Sequence, residues 1–480
     1  MQEKLKSIIN HVKLKNAFYG DARYVHTTHE SLSVTGQNVE AMTLNESAGV
    51  GIRVIVDGCW GFAATSGLND DDLIKAANLA LKVARASALT KKEDVRLAEV
   101  EPYVDKYASK YVEDPFKIPF DDKIGLLLGV NRILQSNKLV KVASSNLDFY
   151  RVRKIFCSTE GAFIEQDIVE SGGGYEAFAI GGGEAQKRSY PNSHRGDFAC
   201  GGYEFIRGLD FLGNAERVAE EAVALVKAKD CPTGEKTVII TGSQMALQVH
   251  ESCGHPTELD RVLGTEISLA GGSFMTLDQL NKLQYGSPIV NIVADATNEG
   301  GLGTFGYDDE GVKACRDYII REGRHVGYQS SRETAPIIGR QSNGCMRADG
   351  WDSLPLIRMT NINLEPGEWE LNDLIADTKD GLLLDMNKTW SIDDRRLNFQ
   401  FGCEIAREIK DGKLGQIYKN PLYTGITPEF WNNCDAICNK NHWHIWGIPS
   451  CGKGEPMQTA HVAHGTSPTR FRNITVGVSK

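Results

Sequence analysis

The pattern of hydrophobic and polar positions changes along the chain and predicts strands and helices in the first half. Residues 51–66, GIRVIVDGCWGFAATS, form two β-rich runs around Asp57-Gly58, a pair that tolerates positive φ and indicates a hairpin. Asn69 is a typical N-cap for the helix that begins with DDDLIKAANLAL. The polar, proline-containing stretch 92–118 is typical of a linker or surface loop.

A second unit follows this linker. Residues 121–136, DDKIGLLLGVNRILQS, predict a helix, and Val218, Ala222 and Val226 recur at the spacing of one helix face. From residue 231 the chain becomes strand-rich, with glycine-containing turns and one helical segment around 243–253. The predicted units are a strand–hairpin–helix unit (1–91), a linker (92–118), a central α+β unit (119–230) and a β-rich domain (231–480).

These patterns predict an α+β protein, in which an N-terminal region of strands and helices precedes a barrel- or sandwich-like β-rich domain. A length of 480 residues also favours two or three domains. The formal net charge of −10 argues against broad binding to nucleic acid or anionic membranes. No secretory signal or membrane span is expected, and eleven irregularly spaced cysteines indicate reduced thiols, so we expect a cytoplasmic protein.

Residues 250–255, HESCGH, contain two histidines and a glutamate with one residue more than the zinc-protease signature HExxH. In an unbroken α-helix, residues five apart point about 140° away from each other, too far to share a metal. Gly254 is a natural left-handed helix stop, and Pro256 biases His255 away from the α region. We therefore expect a last turn that ends or bulges and brings the second imidazole back toward the first.

Catalytic zinc usually takes three protein ligands, so a third ligand is needed. The residue pattern leaves several candidates open: Cys451 in IPSCGKGEPM, His461, His464 and the pair His442/His444. Cys451 is favoured because a thiolate is a strong zinc ligand and because glycine and proline bound its segment. Cys253 is a rival, but it continues the apolar stripe of Ala246 and Val249 and is expected in the core.

Three other motifs have ordinary explanations. Cys434 and Cys438 lie near His442 and His444 as in a second zinc site, but their spacing is irregular, which favours buried thiols. Residues 447–454, GIPSCGKG, resemble a phosphate-binding loop in which glycine replaces the hydroxyl residue that binds Mg²⁺. The acidic run 308–310 is expected to form an exposed turn.

Five segments, in order over roughly residues 240–480, resemble landmarks of the TldD/PmbA family of cytosolic peptidases: HESCGHPTELDR, FGYDDEGV, LPLIRMTN, CGKGEPM and PTRFRNITVGV. The chain is similar to the TldD-like, metal-bearing branch of that family. The resemblance implies a zinc metallopeptidase with His250, His255 and Cys451 as metal ligands and Glu251 as the catalytic residue. It also implies peptide substrates and a two-subunit assembly, either a homodimer or a heterodimer with a metal-free relative.

The implied chemistry is hydrolysis of small or unfolded peptides by metal-activated water, with Glu251 as general base. A β-rich catalytic half suits an extended peptide that adds itself as a strand. The alternative is a non-catalytic interaction protein, like the DNA gyrase modulators described in this family, which acts through a partner subunit. The net negative charge argues against direct DNA contact. A third possibility, a nucleotide-binding regulator, rests only on the imperfect phosphate-binding loop at residues 447–454.

Overall fold

The computed structural model describes residues 1–454 and 457–479. The α-helices are α1 (Gln2–Leu14), α2 (Asp70–Ala88), α3 (Phe120–Leu134), α4 (Tyr203–Gly208), α5 (Phe211–Lys227), α6 (Gly242–Val249), α7 (Leu259–Val262), α8 (Leu371–Ala376) and α9 (Thr427–Asn432). A π-helical turn spans His250–Gly254, and 3₁₀ turns include Pro115–Lys117, His255–Thr257, Leu277–Gln279, Ala335–Ile338 and Lys440–His442. None of the described helices is long and apolar enough to cross a membrane.

The strands fall into an N-terminal and a C-terminal set. The first set is β1 (Tyr19–Thr35), β2 (Asn38–Val56), β3 (Cys59–Thr65), β4 (Val104–Ala108), β5 (Val140–Ser158), β6 (Phe163–Gly181), β7 (Glu184–Tyr190) and β8 (Asp197–Cys200). The second set is β9 (Lys229–Asp230), β10 (Gly234–Ile240), β11 (Ile292–Asp295), β12 (Arg316–Arg321), β13 (Arg324–His325), β14 (Met346–Arg347), β15 (Leu356–Ile357), β16 (Ile362–Leu364), β17 (Asp380–Ile392), β18 (Asn398–Lys410), β19 (Lys413–Lys419), β20 (Pro421–Ile426), β21 (Cys434–Ile437), β22 (His444–Gly454), β23 (Met457–Thr466) and β24 (Thr469–Val478).

The local signals in the first ninety residues are confirmed. Strands β2 and β3 pair antiparallel across Asp57 and Gly58, which have φ values of +50° and +74°. Asn69 caps α2, because its side chain accepts the backbone N–H of Asp72 at 2.9 Å. Both features follow from neighbouring residues alone, which is why the sequence pattern is sufficient to predict them.

The N-terminal strands form one sheet in the order β3-β2-β1-β5-β6-β4, with β7 and β8 also paired to β6. Residues 92–118 contribute β4, which pairs in parallel with β6. Side chains alternate between the two faces of a strand. On β1, Ala22 and Leu32 pack into the cores beneath the helices. Arg23 faces the other way and donates to the carbonyl oxygens of Gly350 and Ser353 at 3.0 and 2.8 Å. The helix-free face of the sheet therefore contacts the C-terminal domain.

The C-terminal domain is organised around a closed barrel of five strands, β10, β17, β18, β20 and β24. Phe399, Phe401, Tyr423 and Phe471 form a buried aromatic cluster in its core. Helix α6 leaves the barrel after β10 and packs against β17 and β23. The structure thus confirms the predicted α+β class with a barrel-like C-terminal domain. The barrel also fixes the start of α6, the helix that leads into HESCGH.

The prediction of an exposed turn is wrong for the acidic run Asp308-Asp309-Glu310. All three residues are only 2–3% exposed at the contact between the N-terminal sheet and the C-terminal domain. Lys154 of β5 donates to Asp309 Oδ1 at 3.1 Å, and Arg53 Nη1 of β2 lies 3.6 Å from Glu310 Oε1. The cations come from strands more than 150 residues away in sequence, so local polarity gave no sign of this burial.

We expect Asp309→Asn to lower the free energy of unfolding by about 3–5 kcal/mol, because it leaves a buried cation without its partner. Burial alone would raise the pKa of Asp309, but Lys154 and Arg23 lower it to about 2. This value lies below that of an aspartate in an unfolded chain, about 3.9. The stabilising contribution is therefore present above about pH 4 and is lost as the pH falls through about 2.

Urea unfolding of the parent and the Asp309→Asn protein, at neutral pH and along an acid series, measures this contribution. Asp70 is the matched control, because its exposed carboxylate lies 3.5 Å from Lys4 Nζ in a surface ion pair. Asp70→Asn should change the free energy of unfolding by no more than about 0.5 kcal/mol. Equal effects of the two substitutions would contradict a stabilising role for the buried network.

Candidate metal centre

The extra residue in HESCGH is accommodated by a π-helical turn. Helix α6 ends at Val249, and the backbone N–H of His255 donates to the carbonyl oxygen of His250, five residues earlier. A hydrogen bond between residues five apart puts those residues one turn apart, so both side chains lie on the same face. The ring centroids of His250 and His255 are 4.8 Å apart. The expected irregular turn is therefore present, in the form of a bulge.

The backbone conformation of this turn differs from the expectation in two respects. Gly254 is not a left-handed stop but has φ −58° and ψ −66°, and His255 stays in the α region at φ −61° and ψ −45° despite preceding Pro256. Glycine is needed at 254 for space, because a Cβ there would lie 2.2 Å from Met359 Sδ. Packing against Met359, and not positive φ, accounts for the glycine.

Side chains from outside the π-turn complete its hydrogen bonds. Tyr285 donates its hydroxyl to the Ser252 carbonyl at 3.0 Å, and Gln329 Nε2 donates to the Gly254 carbonyl at 2.6 Å. Thr257 Oγ1 donates to the Cys253 carbonyl at 2.7 Å. A π-turn leaves carbonyls out of the regular helical ladder, and an unpaired buried carbonyl is costly. These contacts therefore stabilise the turn in this form.

The third residue of the cluster arrives on the β22–β23 hairpin. Cys451 lies opposite Ala460 next to an irregularity in the pairing, and its Sγ is 3.5 Å from His250 Nε2 and 3.8 Å from His255 Nε2. The three ligand atoms lie within 4.8 Å of one another, and all three residues are buried. In the part of the chain that the structure describes, no other group of three histidine, cysteine or acidic residues meets this distance.

These distances fit a zinc ion. Zn–S and Zn–N bonds of about 2.3 and 2.0–2.1 Å, at a tetrahedral angle, place sulfur and nitrogen about 3.5 Å apart. The observed separations of 3.5 and 3.8 Å between Cys451 Sγ and the two Nε2 atoms are close to that value. Two imidazoles and one thiolate also match the donors of catalytic zinc sites, which leave a fourth position open. The residues present fit zinc.

Hydrogen bonds determine which nitrogen of each imidazole is free for a metal. His464 Nδ1 lies 3.0 Å from the Ile362 carbonyl, so it carries the proton and leaves His464 Nε2 as an acceptor. His250 Nδ1 lies 2.7 Å from that acceptor and must donate to it. His255 Nδ1 donates to Glu258 Oε2 at 3.0 Å. Both Nε2 atoms therefore present lone pairs toward Cys451, as metal ligands held by outer-shell partners do.

The electrostatics favour the protonation states that bind a metal. Burial lowers the pKa of both His250 and His255, so both imidazoles are neutral near pH 7. Burial alone would raise the pKa of the Cys451 thiol, but the nearby Arg358 cation opposes this effect, and the pKa lies below its usual value. Arg358 also donates to the carbonyl oxygens of Cys451 and Gln458, and so fixes the hairpin on both strands.

The other candidates for the third ligand lie outside the cluster. His464 Nε2 accepts the hydrogen bond of His250 Nδ1, and His461 Nδ1 bonds Glu170 Oε2 of the N-terminal sheet at 2.6 Å. His442 and His444 pair with Glu370 and Asp197. Cys253, Cys434 and Cys438 are buried in hydrophobic cores, as expected for structural thiols. Residues 447–454 lie within strand β22, so they do not form a phosphate-binding loop.

Glu251 follows His250 in the π-turn and is only 7% exposed. Its Oε2 accepts a hydrogen bond from Arg396 Nη1 at 2.7 Å. Arg396 and Glu258 were not identified from the sequence. Glu258 could have been found, because it lies three residues after His255 in a segment already singled out. Arg396 lies 145 residues from Glu251, in a turn whose sequence carries no signal for a site.

Three ligand atoms with an acidic side chain beside them form the type of centre found in metallohydrolases. The chain belongs to the PmbA/TldA metallopeptidase family, which confirms the family predicted from its motifs. The match covers metallopeptidase domain 1 at residues 20–84, the central domain at 113–229 and the C-terminal domain at 233–478.

Individual proteins show the same likeness along nearly the whole chain. A metalloprotease of Methanocaldococcus jannaschii is 28% identical over 87% of this chain and 89% of its own length. A zinc metalloprotease TldD homolog of Saccharolobus solfataricus is 22% identical over 96% of this chain and 97% of its own. The crystal structure of a proposed DNA gyrase modulator from Thermotoga maritima superposes with a TM-score of 0.78 at 18% identity, covering 99% of both chains. At that identity the likeness shows the fold alone.

Proposed function

We propose that this protein is a zinc-dependent peptidase that hydrolyses peptide bonds in small or unfolded peptides. The observation that carries the proposal is the convergence of His250 Nε2, His255 Nε2 and Cys451 Sγ within 4.8 Å, from two segments about two hundred residues apart. The metalloprotease relatives, one of them named as a zinc enzyme, support the same reading.

His250, His255 and Cys451 would hold the zinc, and the bound metal would supply Lewis acidity to the scissile carbonyl and to water. Glu251 acts as general base: its carboxylate accepts the proton of the attacking water and passes it to the leaving amine. Glu258 and His464 keep the two imidazoles in the tautomer that presents Nε2. Burial of the site excludes bulk water, which strengthens these electrostatic interactions.

The substrate is proposed to bind as an added β-strand. The C-terminal domain, which holds Cys451, is built largely of strands, and this suits a peptide that binds in extended form. Backbone donors and acceptors can then hold the peptide without reading its side chains. This mode of binding suits peptides of varied sequence that are already unfolded.

The alternative, a DNA gyrase modulator that acts through a partner, has less support. Its basis is a likeness in fold to a protein described in those terms, at 18% identity. A purely structural role does not require two imidazoles with matched tautomers next to a thiol of lowered pKa. The two-subunit assembly, with itself or with a metal-free relative, stays a prediction.

Removing the metal is expected to abolish cleavage. The protein should hold about one zinc per chain, and chelation should remove peptide hydrolysis, with recovery on adding zinc back, because the Lewis acid is part of the reaction. Elemental analysis together with cleavage of a peptide library, read by mass spectrometry, checks both points. Undiminished cleavage by protein shown to be free of metal would overturn the proposed function.

A further inference from the structure

Arg396 lies directly against the glutamate that is proposed as the general base. Its Nη1 donates to Glu251 Oε2 at 2.7 Å, and the two side chains are 16% and 9% exposed. We propose that Arg396 is the positioning residue for Glu251: it holds one carboxylate oxygen so that the other faces the attacking water. The inference rests on the proposed peptidase function and adds to it a residue that acts through the base.

The turn that carries Arg396 is built to hold one conformation. Arg396 lies between β17 and β18 with φ +64°, in the left-handed region that residues with a side chain seldom adopt. The Asp393 carboxylate fixes this turn by accepting the backbone N–H groups of Arg395 and Leu397 at 3.1 and 2.8 Å. The backbone N–H of Arg396 itself donates to the Asp393 carbonyl at 2.9 Å.

Two neighbouring segments also donate hydrogen bonds to the turn that carries Arg396. Thr427, the first residue of α9, donates its hydroxyl to the Arg396 carbonyl at 3.0 Å and its backbone N–H to the Leu397 carbonyl at 2.8 Å. Phe274 N–H donates to the Arg395 carbonyl at 2.9 Å. The backbone carbonyls of residues 395, 396 and 397 thus each accept a hydrogen bond from another part of the chain. The guanidinium therefore extends to Glu251 from a backbone with little freedom to move.

The other polar atoms of the Glu251 and Arg396 side chains are consistent with a positioning role for Arg396. Within the described residues, Glu251 Oε2 is engaged by Arg396 while Oε1 accepts no hydrogen bond, which leaves Oε1 available to a water molecule. Arg396 Nε is buried without a partner, so the guanidinium is held chiefly by its bond to Glu251. A carboxylate free to rotate would spend less time in the reactive orientation, and small errors in placement are expensive for catalysis.

Arg396→Gln is expected to lower kcat by about 10- to 100-fold, the usual effect of removing a residue that orients a catalytic group. KM should stay within about threefold, because the bond is made to the base and not to the substrate. Bound zinc should match the parent, because no metal ligand is changed. Arg396→Lys should recover much of the loss, since one donor to one oxygen is enough. Arg395, exposed in the same turn, is the matched control, and Arg395→Gln should leave kcat unchanged.

A double-mutant cycle separates positioning from a general structural effect. Glu251→Asp withdraws the carboxylate from the guanidinium, so adding Arg396→Gln to that background should lower kcat by less than about threefold. A loss as large as in the parent background would show that Arg396 does not act through Glu251 and would overturn the inference. So would parent-like kcat for Arg396→Gln. The proposed function fails on different results, namely cleavage that survives zinc removal or the Glu251→Gln substitution.

Discussion

Glu251→Gln is expected to lower kcat for peptide cleavage by about 10²- to 10⁴-fold while leaving zinc bound, the range that a general base contributes. Glutamine has the shape of glutamate and still accepts a hydrogen bond from Arg396, but its amide oxygen cannot take up the proton of the attacking water. The metal should stay in place, because His250, His255 and Cys451 are untouched and their ligand atoms lie within 4.8 Å of one another without Glu251.

Glu258 provides the matched control, because it is a buried glutamate seven residues further along the chain whose carboxylate bonds His255. Glu258→Gln should weaken zinc binding by about 10- to 100-fold, as outer-shell partners do, and its cleavage should recover in excess zinc. Glu251→Gln should show the reverse: it should hold as much zinc as the parent, and its cleavage should not recover in excess zinc. Zinc titrations followed by cleavage assays compare the two proteins. Parent-like cleavage by Glu251→Gln would remove Glu251 from the mechanism.

The sequence predicts those parts of the structure that depend on neighbouring residues. The Asp57-Gly58 hairpin and the Asn69 cap are examples, because turn and cap preferences act within a few residues. The HESCGH turn is an intermediate case. The spacing of five residues between His250 and His255 indicated an irregular turn. Its π form also depends on Tyr285 and Gln329, which bond its carbonyls from 33 and 75 residues away.

Contacts between distant strands are what the sequence did not reveal. The acidic run 308–310 reads locally as an exposed turn, and only the arrival of cations from β2 and β5 makes its burial favourable. Arg396 is a similar case, since nothing in its turn sequence indicates that the side chain meets Glu251. For the metal cluster, residue chemistry favoured Cys451 over the candidate histidines, and the ordered family motifs then singled it out. Residue chemistry alone left that choice open.

Cys451→Ser is expected to lose zinc, and cleavage with it. The pKa of the thiol is lowered despite burial, with the Arg358 cation nearby, so Cys451 readily provides the thiolate that zinc prefers. A serine hydroxyl stays protonated and is a weak ligand. The loss of affinity should exceed the roughly 10- to 100-fold that removal of an outer-shell partner costs. Chelator competition measures the affinity, and the thermal midpoint should fall toward that of metal-free parent protein, because bound metal stabilises the folded state.

Cys253 is the control for this experiment. It is a buried cysteine of the π-turn that carries His250, and its side chain belongs to the hydrophobic core. Cys253→Ala should lower stability through lost packing, by about 1 kcal/mol or more, yet keep zinc with parent affinity. The two substitutions thus separate a ligand from a core residue within one site. Full zinc retention by Cys451→Ser would transfer the third-ligand role to another residue.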